Sequence, residues 1–130
     1  MMDKLSQSLE DYLEAMVMLG GTTESSVRPS DIARKVGVSK TSVGKALGTL
    51  RERGLVVQPY YGEATLTQEG YEYGMATLKR HRYLTAFFES ELGISADVAE
   101  EEACLMEHAI SDESFEKWIA YIESRGITIA

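Results

Sequence analysis

The sequence predicts a mainly α protein in two parts: an N-terminal winged helix-turn-helix with a short two-stranded wing at residues 1–74, and a helical metal-binding and dimerisation domain at residues 75–130. Three observations predict it. Between Ser30 and Arg53, two amphipathic stretches of helical period flank the turn residue Gly37. Directly after them, residues 55–67 alternate β-prone residues with turn formers, as a hairpin does. Further on, Cys104, Glu107 and His108 stand at i, i+3 and i+4, so that on a helix a thiolate, a carboxylate and an imidazole project from one face. A metal-ligand set combined with a DNA-reading element points to a metal-sensing transcription factor.

Each element has a local reason. Residues 6–19 predict a first helix with Leu9, Tyr12, Leu13, Met16 and Val17 as its apolar stripe, stopped by Gly20 and Gly21. A loop at residues 22–26 follows. After Pro29, Ser30 is the expected cap of a short helix that turns Ile32, Ala33 and Val36 inward. Gly37 permits the turn, and Ser39 caps a second helix that ends near Gly54 and buries Val43, Ala46, Leu47 and Leu50. Its other faces carry Lys40, Thr41, Ser42, Gly44, Lys45, Gly48 and Thr49, small or basic residues suited to entering a groove. The hairpin turns at residues 60–63. Thr67 caps a long fourth helix over residues 68–91 that contains His81 and is closed by Gly93. A fifth helix is expected over residues 96–110 and a sixth over residues 112–124. The aromatic load of Phe87, Phe88, Phe115, Trp118 and Tyr121 needs burial, either on the winged-helix unit or in a homodimer interface.

Charge and composition narrow the function. The 130 residues carry a formal net charge of −8, which argues against an indiscriminate nucleic-acid binder. The distribution is uneven: Arg28, Arg34, Lys35, Lys40, Lys45, Arg51 and Arg53 face only Asp31 and Glu52 in residues 28–53, a local charge of +5. The single cysteine excludes an internal disulfide, and no apolar signal or membrane-spanning run is apparent. The expectation is a reduced, cytoplasmic protein with no membrane partner.

An ordered set of short motifs resembles the diphtheria toxin repressor and manganese transport regulator family of metal-dependent repressors. The carriers are Glu10-Asp11-Tyr12-Leu13-Glu14, Ser30-Asp31-Ile32-Ala33, Ser42-Val43, Leu66-Thr67-Gln68-Glu69-Gly70, Arg80-His81-Arg82, Glu102-Ala103-Cys104, Glu107-His108 and Ser111-Asp112-Glu113. The resemblance implies metal ligation by Asp11, Glu14, His81, Cys104, Glu107 and His108. It also implies a homodimer that binds double-stranded DNA, a palindromic operator, with Mn2+ or Fe2+ as corepressor, one or two ions per subunit, and Co2+, Ni2+ or Zn2+ able to substitute. Ser30, Ser39, Lys40, Thr41, Ser42, Lys45 and Arg51 are the expected DNA-contacting residues. The chain departs from both branches of the family. Asp11 and Glu14 match the manganese type, whereas Cys104 is the iron-type residue. Thr85 and Glu100 stand where the iron type has its ancillary ligands, so that second site is not expected; with the sequence ending at Ala130, neither is the SH3-like domain of the longer members.

Chemistry provides a separate test of the ligand set. Carboxylates and imidazole suit manganese and iron(II), while a thiolate shifts preference toward iron, cobalt, nickel or zinc. Taken singly, Cys104 reads as a small buried hydrophobe, His81 as part of a solvated basic run from Lys79 to Arg82, and Asp11, Glu14 and Glu107 as helix-surface acids. Lys40 and Lys45 alone read as a solvated face. Joint occurrence favours the metal reading. The alternatives are a winged-helix regulator answering to an organic ligand or to oxidation of Cys104, and a metalloenzyme.

Overall fold

The computed structural model describes residues 4–59 and 62–129. It divides into two compact units, Met1–Ala76 and Thr77–Ala130. Among the described residues, no helix is long and apolar enough to cross a membrane.

The first unit contains α1 (Gln7–Met18), α2 (Pro29–Val36), α3 (Lys40–Glu52), the strands β1 (Val56–Val57) and β2 (Thr65–Leu66), and the start of α4 (Gln68–Ser90). Ser6 caps α1, its hydroxyl accepting from the Leu9 N–H at 3.2 Å. Ser30 does not cap α2 as the sequence suggested. Pro29 is the first helical residue, because its fixed φ and missing N–H suit that position, and Arg28 becomes the cap residue through its carbonyl. Ser39 does cap α3, accepting from the Ser42 N–H at 3.1 Å.

The core of this unit follows the apolar periodicity. Tyr12, Leu13 and Met16 of α1, Ile32 and Ala33 of α2, and Val43, Ala46, Leu47 and Leu50 of α3 are all buried in one cluster. Leu9, Val17 and Val36 are only partly buried against it. Strands β1 and β2 pair antiparallel in the register Val56↔Leu66 and Val57↔Thr65. An additional bridge joins Val27 to Ala64, so the wing is also bonded to the segment ahead of α2. The expected hairpin turn includes Tyr60 and Tyr61, which lie outside the described residues.

Thr67 links the wing to α4. Its Oγ1 accepts from the Gly70 N–H at 3.0 Å, capping the helix, and donates to the Gly54 carbonyl at 2.8 Å. Gly70 permits the close approach this requires, since a Cβ there would lie 1.9 Å from the Leu55 carbonyl oxygen.

The second unit holds the rest of α4 with α5 (Ala96–Met106) and α6 (Asp112–Ser124). Leu84, Phe88, Ala99 and Ala103 form its core, with Phe87, Ile94, Met106, Ile110 and Trp118 packed around them. Phe87 meets Trp118 edge-to-face at 4.8 Å, and Tyr83 meets Phe115 at 6.1 Å. Much of the aromatic load is therefore absorbed inside this unit, although Tyr121 remains exposed. Helix α5 ends four residues earlier than the predicted 110. Glu107 keeps right-handed helical angles and donates its N–H to the Ala103 carbonyl, after which Ala109 turns back to Met106 over three residues. Glu107 and His108 thus sit on a terminal turn and not within the helix body.

Candidate metal centre and DNA-reading helix

In the second unit, Cys104 projects from the last turn of α5, and Glu107 and His108 follow in the terminal turn. Each offers a ligand atom, and these atoms lie within 4.8 Å of one another. The spacing read from the sequence survives the early helix end because Glu107 is still helical. Glu107 and His108 are buried, and Cys104 is half-buried. Among the described residues, the buried Glu107 Oε2 has no hydrogen-bond partner. An unpaired carboxylate oxygen in the interior is costly, so a cation beside it fits the residues present.

His81, on α4, joins the cluster through its Nδ1, 3.3 Å from Glu107 Oε1. Its Nε2 lies 2.9 Å from Glu100 Oε2 on α5. Both ring nitrogens face carboxylates, and only the imidazolium can donate from both at once. The hydrogen bond to Glu107, reinforced by Glu100 and opposed by burial, raises the His81 pKa to about 9. His81 is only 8% exposed, so the reading of residues 79–82 as a single solvated basic run is incorrect. Lys79 and Arg82 are exposed, whereas Arg80 and His81 turn inward, as the helical period demands.

In the first unit, Asp11 is half-buried and Glu14 buried, one turn apart on α1. Their neighbour Glu10 accepts a 2.5 Å hydrogen bond from the Tyr73 hydroxyl, which in turn accepts from the Leu5 N–H at 3.0 Å. Glu10 thereby anchors α1 to α4; Glu14, four residues on, shares its face of the helix, and Asp11 lies beside them.

The other sequence candidates lie on the helix-turn-helix. Ser39, Lys40, Thr41, Ser42, Lys45 and Arg51 are exposed and Ser30 half-buried, with the buried stripe of α3 on the opposite side. Arg51 also reaches the wing, donating from Nη1 to Gln58 Oε1 at 3.0 Å, and Gln58 donates to the Gly62 carbonyl at 2.8 Å.

Residues 4–64 match the family model described as "Iron dependent repressor, N-terminal DNA binding domain". Residues 67–125 match "Iron dependent repressor, metal binding and dimerisation domain". The chain belongs to the iron dependent repressor family. Members of this family are metal-responsive, DNA-binding transcriptional repressors, and the mostly helical fold with its two-stranded wing is theirs. An uncharacterised HTH-type transcriptional regulator of Methanocaldococcus jannaschii is 32% identical over 120 residues, 92% of this chain and 95% of that protein. The transcriptional regulator MntR of Salmonella typhimurium is 29% identical over 118 residues, 91% of this chain and 74% of MntR. Among solved structures, a manganese-dependent transcriptional repressor in complex with manganese superposes with a TM-score of 0.78 at 31% identity. The manganese regulator SloR superposes with a TM-score of 0.76 at 27% identity. The match covers 88% of this chain in both, but the chain spans only about half the length of those two proteins.

In this family member, two residues beside the Cys104, Glu107 and His108 cluster escape the sequence reading. Glu100 enters the sequence reading only as a residue standing where the iron type has an ancillary ligand, yet it lies against His81; its position four residues before Cys104, on the same α5 face, is the available signal. Arg80 was hidden in the basic run, and only the tertiary packing separates it from its neighbours.

Proposed function

We propose that this chain is a cytoplasmic, homodimeric repressor that binds a palindromic operator when loaded with Mn2+ or Fe2+, one or two ions per subunit, and has no catalytic role. The observation that carries this reading is the cluster of half-buried Cys104 with buried Glu107 and His108, in which Glu107 Oε2 has no hydrogen-bond partner among the described residues. Together with His81 these residues hold the ion, and Asp11 and Glu14 complete the set from residues 1–74. A bound divalent cation supplies the positive charge that lets several carboxylates and a thiolate share one site. Co2+, Ni2+ or Zn2+ can substitute, because nitrogen and sulfur donors serve them as well. Donors drawn from both parts of the chain make metal loading favour one disposition of the reading heads. On the DNA side, the small residues Ser39, Thr41 and Ser42 let α3 enter the major groove while Lys40, Lys45 and Arg51 neutralise phosphates; Ser30 contributes from α2.

The direct test is an operator titration against Mn2+, Fe2+, Co2+ and Zn2+ under anaerobic, reducing conditions. Operator affinity rises on metal addition and falls back with chelator. Equal affinity in metal-free protein would overturn the reading.

Two further outcomes follow. At neutral pH the metal-free protein holds His81 as imidazolium, with a pKa of about 9 against an ordinary 6.5. Ligation needs the neutral ring, so loading releases the His81 proton in addition to the one the Cys104 thiol gives up, and affinity climbs with pH by at least roughly tenfold per unit between 7 and 9. The same contacts stabilise the metal-free fold fully below pH 6.5, and that contribution is lost as pH rises through about 9. Calorimetric titrations in buffers of different ionisation enthalpy measure the proton release. For the reading helix, Lys45→Ala weakens operator binding and lowers the salt slope by roughly one unit, with metal affinity retained. Fluorescence anisotropy across a salt series reads both; an unchanged slope would move the phosphate contact off Lys45.

A further inference from the structure

Helix α5 ends differently from its neighbours. Among the described residues, α1, α2, α3, α4 and α6 are each followed by a glycine at positive φ, namely Gly20, Gly37, Gly54, Gly93 and Gly126. No such glycine follows α5, although its end carries Glu107 and His108. The last carbonyls of a helix need donors from elsewhere, and an unanchored terminal turn frays.

The missing donors come from α4. Arg80 Nη1 donates to the Glu107 carbonyl at 3.1 Å and also to the Ile110 carbonyl. Its Nη2 donates to Asp112 Oδ1, at the first turn of α6. The guanidinium carbon lies 5.2 Å from the centre of the Phe115 ring, and the side chain is only 15% exposed. One planar group therefore spans both ends of the turn at residues 107–110, a geometry that an ammonium, with its compact point charge, does not reproduce.

We propose that Arg80 is a positioning residue for the metal centre: it takes the place of a terminal glycine on α5 and holds the backbone from which the Glu107 and His108 ligands project. The inference rests on the reading of those two residues as metal ligands. Arg80 precedes His81 in α4, so one helix supplies a ligand and the clamp for the ligands opposite it. The positive charge is compatible with a cation site because it faces two carbonyls and Asp112. Ligand geometry tolerates errors of only about half an ångström, so releasing the turn weakens metal binding even where the fold persists. Asp112 is 96% exposed and contributes little; the carbonyl contacts carry the effect.

Anaerobic titration of the full chain with Co2+ tests this, since d–d and thiolate charge-transfer bands report on the site itself. Arg80→Met keeps the stem over Phe115 and removes the donor fork. It binds Co2+ roughly ten- to a hundredfold more weakly, with altered bands and a smaller metal-induced rise in Tm. Arg80→Lys falls between Arg80→Met and the wild type, and Asp112→Ala stays within about twofold of the wild type. A purely architectural role would lower the metal-free Tm and leave the Kd and spectrum of the folded protein unchanged; that result overturns the proposal. Wild-type protein that fails to bind Co2+ overturns the proposed function instead. Should Arg80→Met not fold, NMR of the metal-free wild type decides: slowly exchanging Arg80 Nη protons are expected, and rapidly averaged ones would refute the clamp.

Discussion

Glu107→Ala abolishes metal-dependent operator binding while leaving a folded dimer. Glu107 is 1% exposed and touches both histidines of the cluster, with Oε1 3.3 Å from His81 Nδ1 and 3.9 Å from His108 Nε2. Its other oxygen has no hydrogen-bond partner among the described residues, so the side chain is arranged for a charge and not for packing. Removing it deletes an anionic ligand, and the loss exceeds the roughly ten- to hundredfold cost of losing a residue that only orients a ligand. His108→Ala has the same effect, because it removes the second buried donor of the same turn. Neither change deletes a large apolar surface. Metal at a hundred times its Kd stabilises the wild type by about 2.7 kcal/mol, and both variants lose that increment. Operator binding with and without metal, alongside Tm and light scattering, separates a lost site from a lost fold. A wild-type metal response in both variants would refute the site.

The second large effect is on selectivity, with opposite signs at two positions. Cys104→Glu replaces a soft thiolate with a hard carboxylate and shifts activation toward manganese. Asp11→Met does the reverse, moving activation away from manganese toward softer metals. A tenfold change in the manganese-to-iron(II) ratio of activation midpoints corresponds to about 1.4 kcal/mol of differential affinity, and at least that is expected in each direction. Anaerobic work is essential, since oxidation of Cys104 would mimic metal loss. If the ratio is unchanged in both variants, Asp11 and Cys104 are not the pair that sets metal preference.

Local rules made most of the first unit legible in the sequence. The buried stripes of α1, α2 and α3, the Ser39 and Thr67 caps and the β1–β2 pairing all depend on residues a few positions apart. Ser30 failed as a cap for an equally local reason, the pre-set φ of Pro29. The grouping of Cys104, Glu107 and His108 was legible because i, i+3 and i+4 share one helical face, and Glu107 keeps that geometry at the helix end. Tertiary structure alone decided three things. It placed Ala64 of the wing against Val27. It set the His81 imidazole between Glu107 and Glu100, from residues 19 or more positions away. And it ended α5 at Met106, where the guanidinium of Arg80, 27 residues earlier than Glu107, satisfies carbonyls that no local residue serves. Periodicity reports which face of a helix is apolar; it carries no information about which distant side chain meets a helix end, because that contact exists only after the elements have packed.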